Sequence, residues 1–246
     1  TTPGIDNGDC TTVGKTYKHS QFYGADKKTG ANEYFGGMQD NGTWRSPSGQ
    51  NASSATNYQF SIGGDGFEVV WHKLDPLKMI GGSQANNFRK SINGGQTWTV
   101  ATGGLSGTHP FVSKLATSPH IPDVLFTLSS DGVFRSNDFG STWTLTAISE
   151  NWGGTTSLMD VEVSRANANI IWAGSGMVNS GAVRNLHVST DGGQTFTAAN
   201  NYTERTLGSI TKLASHPTQP NTAYAIFSFA GRPKILRTTD LGQSWQ

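Results

Sequence analysis

Between residues 110 and 145 the chain reads PFVSKLATSPHIPDVLFTLSSDGVFRSNDFGSTWTL. Its apolar residues come in short bursts. Val112 to Ala116 is the first, then VLFTLS (124–129), GVFRS (132–136) and TWTLT (142–146), with Pro, Gly, Asn and Asp clustered between them. Strands of about four to eight residues, with turn signals about every 8–12, are the mark of an all-β chain. The same order returns in ITKLASHPTQPNTAYAIFSFAGRPKILRTTDLGQSW (210–245). No amphipathic stretch of helical period and useful length interrupts it.

One turn recurs at the end of each third burst: SINGGQTWTV (91–100), SNDFGSTWTL (136–145), STDGGQTFTA (189–198) and TTDLGQSWQ (238–246). Its first residues, Ser91, Ser136, Ser189 and Thr238, are separated by 45, 53 and 49 residues. One further step back reaches Ser46 in TWRSPSGQN, a copy that has lost the Asp and the Trp. Four short strands recurring about every 45–50 residues predict the blades of a β-propeller. Five are visible, with turns near 46, 91, 136, 189 and 238. Residues 18–246 are read as the blades and 1–17 as an N-terminal segment able to supply a closing strand. The chain stops inside its fifth hairpin, so the last blade is read as incomplete and the whole as part of a larger propeller.

The turn has a physical reading. Asp138, Asp191 and Asp240 stand where a carboxylate accepts backbone N–H groups across its own turn, and Asn93 can do the same. Gly95, Gly140, Gly193 and Gly242 supply the conformations with positive φ. Trp98, Trp143, Phe196 and Trp245 then restart the strand, and are expected at equivalent buried positions.

Composition narrows the function classes. Charged residues make up 14% of the chain, against about 25% for ordinary soluble domains. The formal net charge is +1, which gives nucleic acid no electrostatic footing. Cys10 is alone, so no internal disulfide forms. No run of apolar residues is long enough to span a membrane. Low charge with abundant Ser, Thr, Asn, Gly and Trp suits an extracellular β-protein.

The turn pattern S/T-x-D/N-x-G-x-T/S-W/F resembles the Asp-box, or BNR, repeat of sialidases, xyloglucanase-type glycoside hydrolases, the sortilin ectodomain and photosystem assembly propellers. The likeness runs from Ser46 to Gln246. It implies that the turns lie between third and fourth strands, on the face away from the usual active site. A narrower likeness, carried by YFGGMQDNGTWRS (34–46) and GGDGFEVVWH (63–72), is to the large secreted BNR-repeat proteins of Bacteroidetes.

On that resemblance the opposite face carries the chemistry. Asp40 and Asp65 stand on Gly-flanked loops of neighbouring blades. Paired carboxylates, one as acid and one as base or nucleophile, are what glycoside hydrolysis needs. The simpler reading is that each satisfies its own turn. Gln39 and Asn41 flank the first of them. Trp152 and Tyr202 are candidates for stacking on a sugar ring. Arg184 and Arg205 lie on further loops of the same face, without the three-arginine motif that a sialidase requires. The histidines have no metal-ligand spacing, no phosphate loop is present, and neither metal nor cofactor is expected. The sequence therefore predicts an extracellular module that binds a glycan or a protein, without appreciable hydrolytic activity. A xyloglucanase-like hydrolase using Asp40 and Asp65, and a structural protein-docking module, are the alternatives.

Overall fold

A computed structural model describes residues 21–148, 152, 159–178, 186–199, 201–202, 206–227 and 235–246. Five antiparallel sheets of four strands each follow one another. The first holds β1 (Phe22–Lys27), β2 (Tyr34–Met38), β3 (Gly42–Arg45) and β4 (Gln59–Ile62) in sequence order. The second holds β5 (Val69–Trp71), β6 (Met79–Ser83), β7 (Asn87–Ser91) and β8 (Thr99–Val100), and the third β9 (Ala116–Thr117), β10 (Leu125–Ser129), β11 (Gly132–Ser136) and β12 (Thr144–Ala147). The fourth is built from β13 (Asp160–Val163), β14 (Ile171–Gly174), β16 (Leu186–Ser189) and β17 (Thr197–Ala198). These are the blades of a β-propeller.

The fifth sheet departs from the simple repeat. Its order is β15 (Gly176–Val178), β18 (Thr206–Ser215), β19 (Ala223–Phe227) and β20 (Ile235–Thr238). β15 comes from the second-to-third connection of the fourth blade. It pairs with the first half of β18, while the second half, from Ile210 on, pairs with β19. On the far side, Gln246 exchanges both backbone hydrogen bonds with Arg237, at 2.8 and 2.9 Å, where the other blades begin their outer strand. The N-terminal segment 1–17 lies outside the described residues.

Burial explains the strand chemistry. The second strands β6, β10 and β14 are buried along their whole length, because a neighbouring blade covers each face. Outer strands β8 and β12 are mostly exposed and carry Thr, which tolerates water on a pleated surface. Clusters of apolar side chains fill the spaces between blades. One joins Phe88 and Ile80 of the second blade to Phe134, Phe139 and Trp143 of the third.

The four repeated turns are built alike. The first hydroxyl accepts the N–H of the glycine four residues on, at 2.8 Å for Ser91, Ser136 and Ser189 and 2.9 Å for Thr238. The same hydroxyl donates to the Asp or Asn side chain two residues on, at 2.7–2.9 Å. That side chain in turn accepts the N–H of Thr97, Thr142, Thr195 or Ser244 at 2.9–3.0 Å.

Each turn also grips the preceding blade. Gly140 has φ +80°, and a Cβ there would lie 2.6 Å from Ile80 Cδ1. The Trp143 indole donates to Ala101 O at 2.9 Å, Trp98 stacks on Phe35 at 5.5 Å, and Trp245 stands edge-on to Trp172 at 5.9 Å. Trp143 and Trp245 are buried as predicted; Trp98 and Phe196 are only partly covered. The expectation of four equivalently buried rings is corrected for those two. Ser46, in the degenerate copy, is buried, accepts the Tyr34 N–H at 2.7 Å and so closes the first blade without a carboxylate.

Candidate functional site

The face opposite the repeated turns is formed by the second-to-third connections and by the segments leading from one blade to the next. The loops bearing Asp40 and Asp65 do converge there. Gly66 makes this possible: a Cβ on it would lie 2.3 Å from Gly42 O. Asp40, at φ +61°, donates its backbone N–H to Asp65 Oδ1 at 2.8 Å. Asp65 Oδ2 accepts Gln84 Nε2 at 2.8 Å, and Gln84 Oε1 accepts the Asp65 N–H at 3.2 Å. Asp65 therefore braces two loops with both of its oxygens, while the Asp40 side chain is exposed to solvent.

The other predicted residues are dispersed. Gln39 Oε1 accepts the Tyr23 hydroxyl at 2.8 Å. Asn41 donates from Nδ2 to Gln39 O at 3.0 Å, and its carbonyl accepts the Trp44 indole N–H at 2.6 Å. Trp152 is buried rather than displayed. Its Nε1 donates to Ser129 O at 2.8 Å, and its ring lies edge-on to His187. Tyr202 is buried in the cluster between the fourth and fifth blades. Neither offers a free ring face for a sugar. Arg184 and Arg205 lie outside the described residues. Among the described residues no group of three or more metal-ligating side chains is assembled, and no helix is long and apolar enough to cross a membrane.

Sequence reasoning missed the axis of the propeller. His72 and His216 mark equivalent points, since each Nδ1 accepts the N–H groups two and three residues on. Ser118 and Ser164 occupy the same point, accepting N–H groups from His120 and Asn167. Four residues before each marker stand Glu68, Lys114, Asp160 and Lys212. The innermost strands thus bring alternating charges to one level. Lys212 Nζ lies 3.4 Å from Asp160 and 3.6 Å from Glu68; Lys114 Nζ lies 3.6 Å from Asp160 and 3.9 Å from Glu68. Recurrence of charge at one blade position, in a chain so poor in charge, was the signal available.

Carboxylates on these strands also cap the next blade. Asp160 Oδ2 accepts the Leu213 N–H at 2.6 Å, Glu162 Oε1 the Ser215 N–H at 3.1 Å, and Asp26 Oδ2 the Trp71 N–H at 2.8 Å. Burial pushes the Glu68 carboxyl above its ordinary value, against the pull of Lys212 and Lys114. Burial raises Glu162 as well, against its bonds from Ser215. Lys212 is opposed by burial, yet Asp160, Glu68 and Glu162 hold it above its ordinary value.

A cavity of about 350 Å³ opens above this charged layer. Glu68, Lys114 and Lys212 reach into it, and Phe22, Tyr23, Val112, Met159 and Thr211 form its walls. Tyr23 is held edge-on to Phe67 at 5.1 Å, and Phe67 to Phe111 at 5.6 Å. Further out, Trp44 stands edge-on to Phe60 at 5.4 Å. Three of these rings stay uncovered: Phe22 is 60% exposed, Phe60 59% and Phe111 49%.

The sequence matches no protein-family profile and no curated protein. Among solved structures it is similar to a GH74 enzyme of Niastella koreensis, with a TM-score of 0.62 and 20% identity over 93% of this chain and 30% of that one. An ancestral GH74 enzyme gives 0.64 and 16% over 92% and 31%. YCF48 solved with a D1 peptide gives 0.58 and 14% over 94% and 67%. The chain spans about a third of the length of the two GH74 enzymes it matches. At these identities the shared property is the fold, and the chain is a propeller like them.

Proposed function

We propose that this propeller is an extracellular glycan-binding module of the Asp-box kind, using the face opposite its repeated turns. The observation that carries the reading is the set of uncovered rings on that face, Phe22 and Phe111 near the mouth of the axis and Phe60 on the outer strand of the first blade. Rings held in fixed places beside hydrogen-bonding groups suit a sugar face, which presents C–H and O–H together, and little rotamer freedom is lost on binding. The fourfold hydrogen-bonded turn and the low charge support the Asp-box and extracellular parts of the reading. GH74 enzymes among the structural neighbours make a polysaccharide the first ligand class to try.

Hydrolysis is the second reading, favoured by the convergence of the Asp40 and Asp65 loops. Asp65 is, however, committed to a backbone N–H and to Gln84. Affinity electrophoresis on xyloglucan, mixed-linkage β-glucan, xylan and mannan tests the proposal. Retardation of the wild type by one of them, reduced in Phe60→Ala and Phe111→Ala, is the expected result. No retardation by any of them would end the glycan reading and favour docking of a protein.

A further inference from the structure

The layer Glu68–Lys114–Asp160–Lys212 sums to zero charge. Its separations of 3.4–3.9 Å exceed the roughly 2.7–2.9 Å of a tight charge-assisted bond. An ammonium has three donors and a carboxylate about four acceptor positions, so this loose layer keeps hydrogen-bonding capacity in hand. It is not equally accessible. The Asp160 side chain is 1% exposed, with one oxygen on the Leu213 N–H, whereas Lys212 is 47% exposed and lines the cavity together with Glu68. What the cavity meets is the Glu68 carboxylate with the Lys212 ammonium 3.6 Å and the Lys114 ammonium 3.9 Å away, the second lysine being balanced by Asp160 behind them at 3.6 Å.

That balance selects the charge of a ligand. An anion would draw the lysines from Glu68 and Asp160, and a cation would draw the carboxylates from the lysines. Either leaves a charge of the layer uncompensated in a confined site, which is costly. Neighbouring hydroxyls, one donating and one accepting, satisfy both groups and leave the balance intact. Phe22, Tyr23, Val112 and Met159 give the C–H faces an apolar wall. Tyr23 is fixed in advance by its hydroxyl on Gln39 and its edge on Phe67. At about 350 Å³ the cavity sits near the lower end of the roughly 300–1,000 Å³ of small-molecule sites, room for a single ring rather than a chain.

We infer that the mouth of the axis is a pocket for one uncharged sugar ring at the end of a glycan, its adjacent hydroxyls bridging Glu68 and Lys212. The inference rests on the glycan-binding reading above and adds the position, the charge and the end-on mode.

Calorimetry with cellopentaose, xylopentaose, mannopentaose and trigalacturonate, alongside the polysaccharide electrophoresis, tests it. At least one neutral oligosaccharide should bind at a single site, and trigalacturonate should not. Glu68→Ala removes the acceptor and Val112→Trp fills the mouth without touching an ion pair. Each should weaken the neutral oligosaccharide at least tenfold, with Val112→Trp keeping the wild-type unfolding temperature within a few degrees. Undiminished binding in Val112→Trp overturns the pocket, as does preference for trigalacturonate, or binding of a polysaccharide with none of the oligosaccharides. In those cases the glycan reading survives. Absence of all binding by the wild type ends that reading, and the pocket with it.

Discussion

The backbone N–H of Asp40 points at the carboxylate of Asp65, 2.8 Å away. A loop of the first blade is thereby tied to the segment entering the second. A carboxylate that accepts a backbone N–H and a Gln84 amide is a fastener, and catalysis needs one carboxyl free to give up a proton and another free to take one or to attack. No appreciable hydrolysis of β-glucan, xyloglucan or sialosides is expected from this chain. Asp65→Ala should lower stability by about 1.5–3 kcal/mol, the range for losing a hydrogen bond to a charged group. Turnover by the wild type that vanishes in Asp40→Asn would replace the binding module with an enzyme.

Trp143 and Trp98 follow the same turn in successive blades and differ in cover. Trp143 is buried, donates to Ala101 O and lies 5.7 Å from Phe88. Trp98 stacks on Phe35 and is only partly buried. Removing a buried aromatic costs about 3–5 kcal/mol, so urea unfolding of Trp143→Ala should show a loss of that size. Trp98→Ala should lose clearly less. Equal losses would mean that the turn itself, and not its grip on the preceding blade, sets the energetics.

Gly140 and Gly94 separate two effects of adding a methyl group. Both have positive φ, +80° and +70°. A Cβ on Gly94 would touch nothing closer than 3.7 Å, whereas one on Gly140 would meet Ile80 Cδ1 at 2.6 Å. Gly94→Ala should cost the conformational strain alone, about 1–2 kcal/mol. Gly140→Ala should cost more, and the excess should shrink in the double variant with Ile80→Val, which removes that Cδ1. Strict additivity in the double-mutant cycle would deny the inter-blade contact.

The contrast between turn and axis explains what the sequence disclosed. The repeated turn is local: Ser189, Asp191, Gly193 and Thr195 bond within seven residues of one another, so their spacing is itself the evidence. Blade count followed from recurrence, and the approach of Asp40 to Asp65 from placing both on adjacent loops. The axial layer is assembled by residues 46 and 52 positions apart that meet only once the blades have packed side by side. No local pattern marks them, and their register appears only once His72, Ser118, Ser164 and His216 are matched. β15 was missed for another reason: GSGMVNSGAVRN (174–185) has a loop's composition, and its pairing partner Thr206–Ser209 belongs to the next blade. The burial of Trp152 was hidden likewise, because its cover comes from Ser129 and His187 of two different blades.

The repeated turns also set how the protein meets acid. The hydroxyl of Thr195, followed by its backbone N–H, holds the Asp191 carboxyl down at about 2, against an ordinary 3.8. Asp240 is lowered in the same way, first by the hydroxyl of Ser244. Burial tends to raise Asp138, yet the bonds from Thr142 and Ser136 leave it lowered too. A carboxyl with a depressed folded value binds its proton more readily in the unfolded chain. Its contribution to stability is whole above the ordinary value of 3.8 and is lost as the pH falls through about 2. Glu68 and Glu162 have the opposite sign, because their folded values are raised above 4.5 by burial. Protonating them relieves a buried charge, so they favour the fold as the pH drops through that higher range. Urea midpoints of the wild type and Asp191→Asn at pH 7, 4 and 2.5 separate the two. Asn93 performs the same role in its own turn, so Asp191→Asn should fold. It should be less stable than the wild type at pH 7 and at pH 4, and the gap should narrow at pH 2.5, where the wild-type carboxylate is being protonated. A gap that stays constant across all three values would show that the Asp191 charge contributes nothing to the turn.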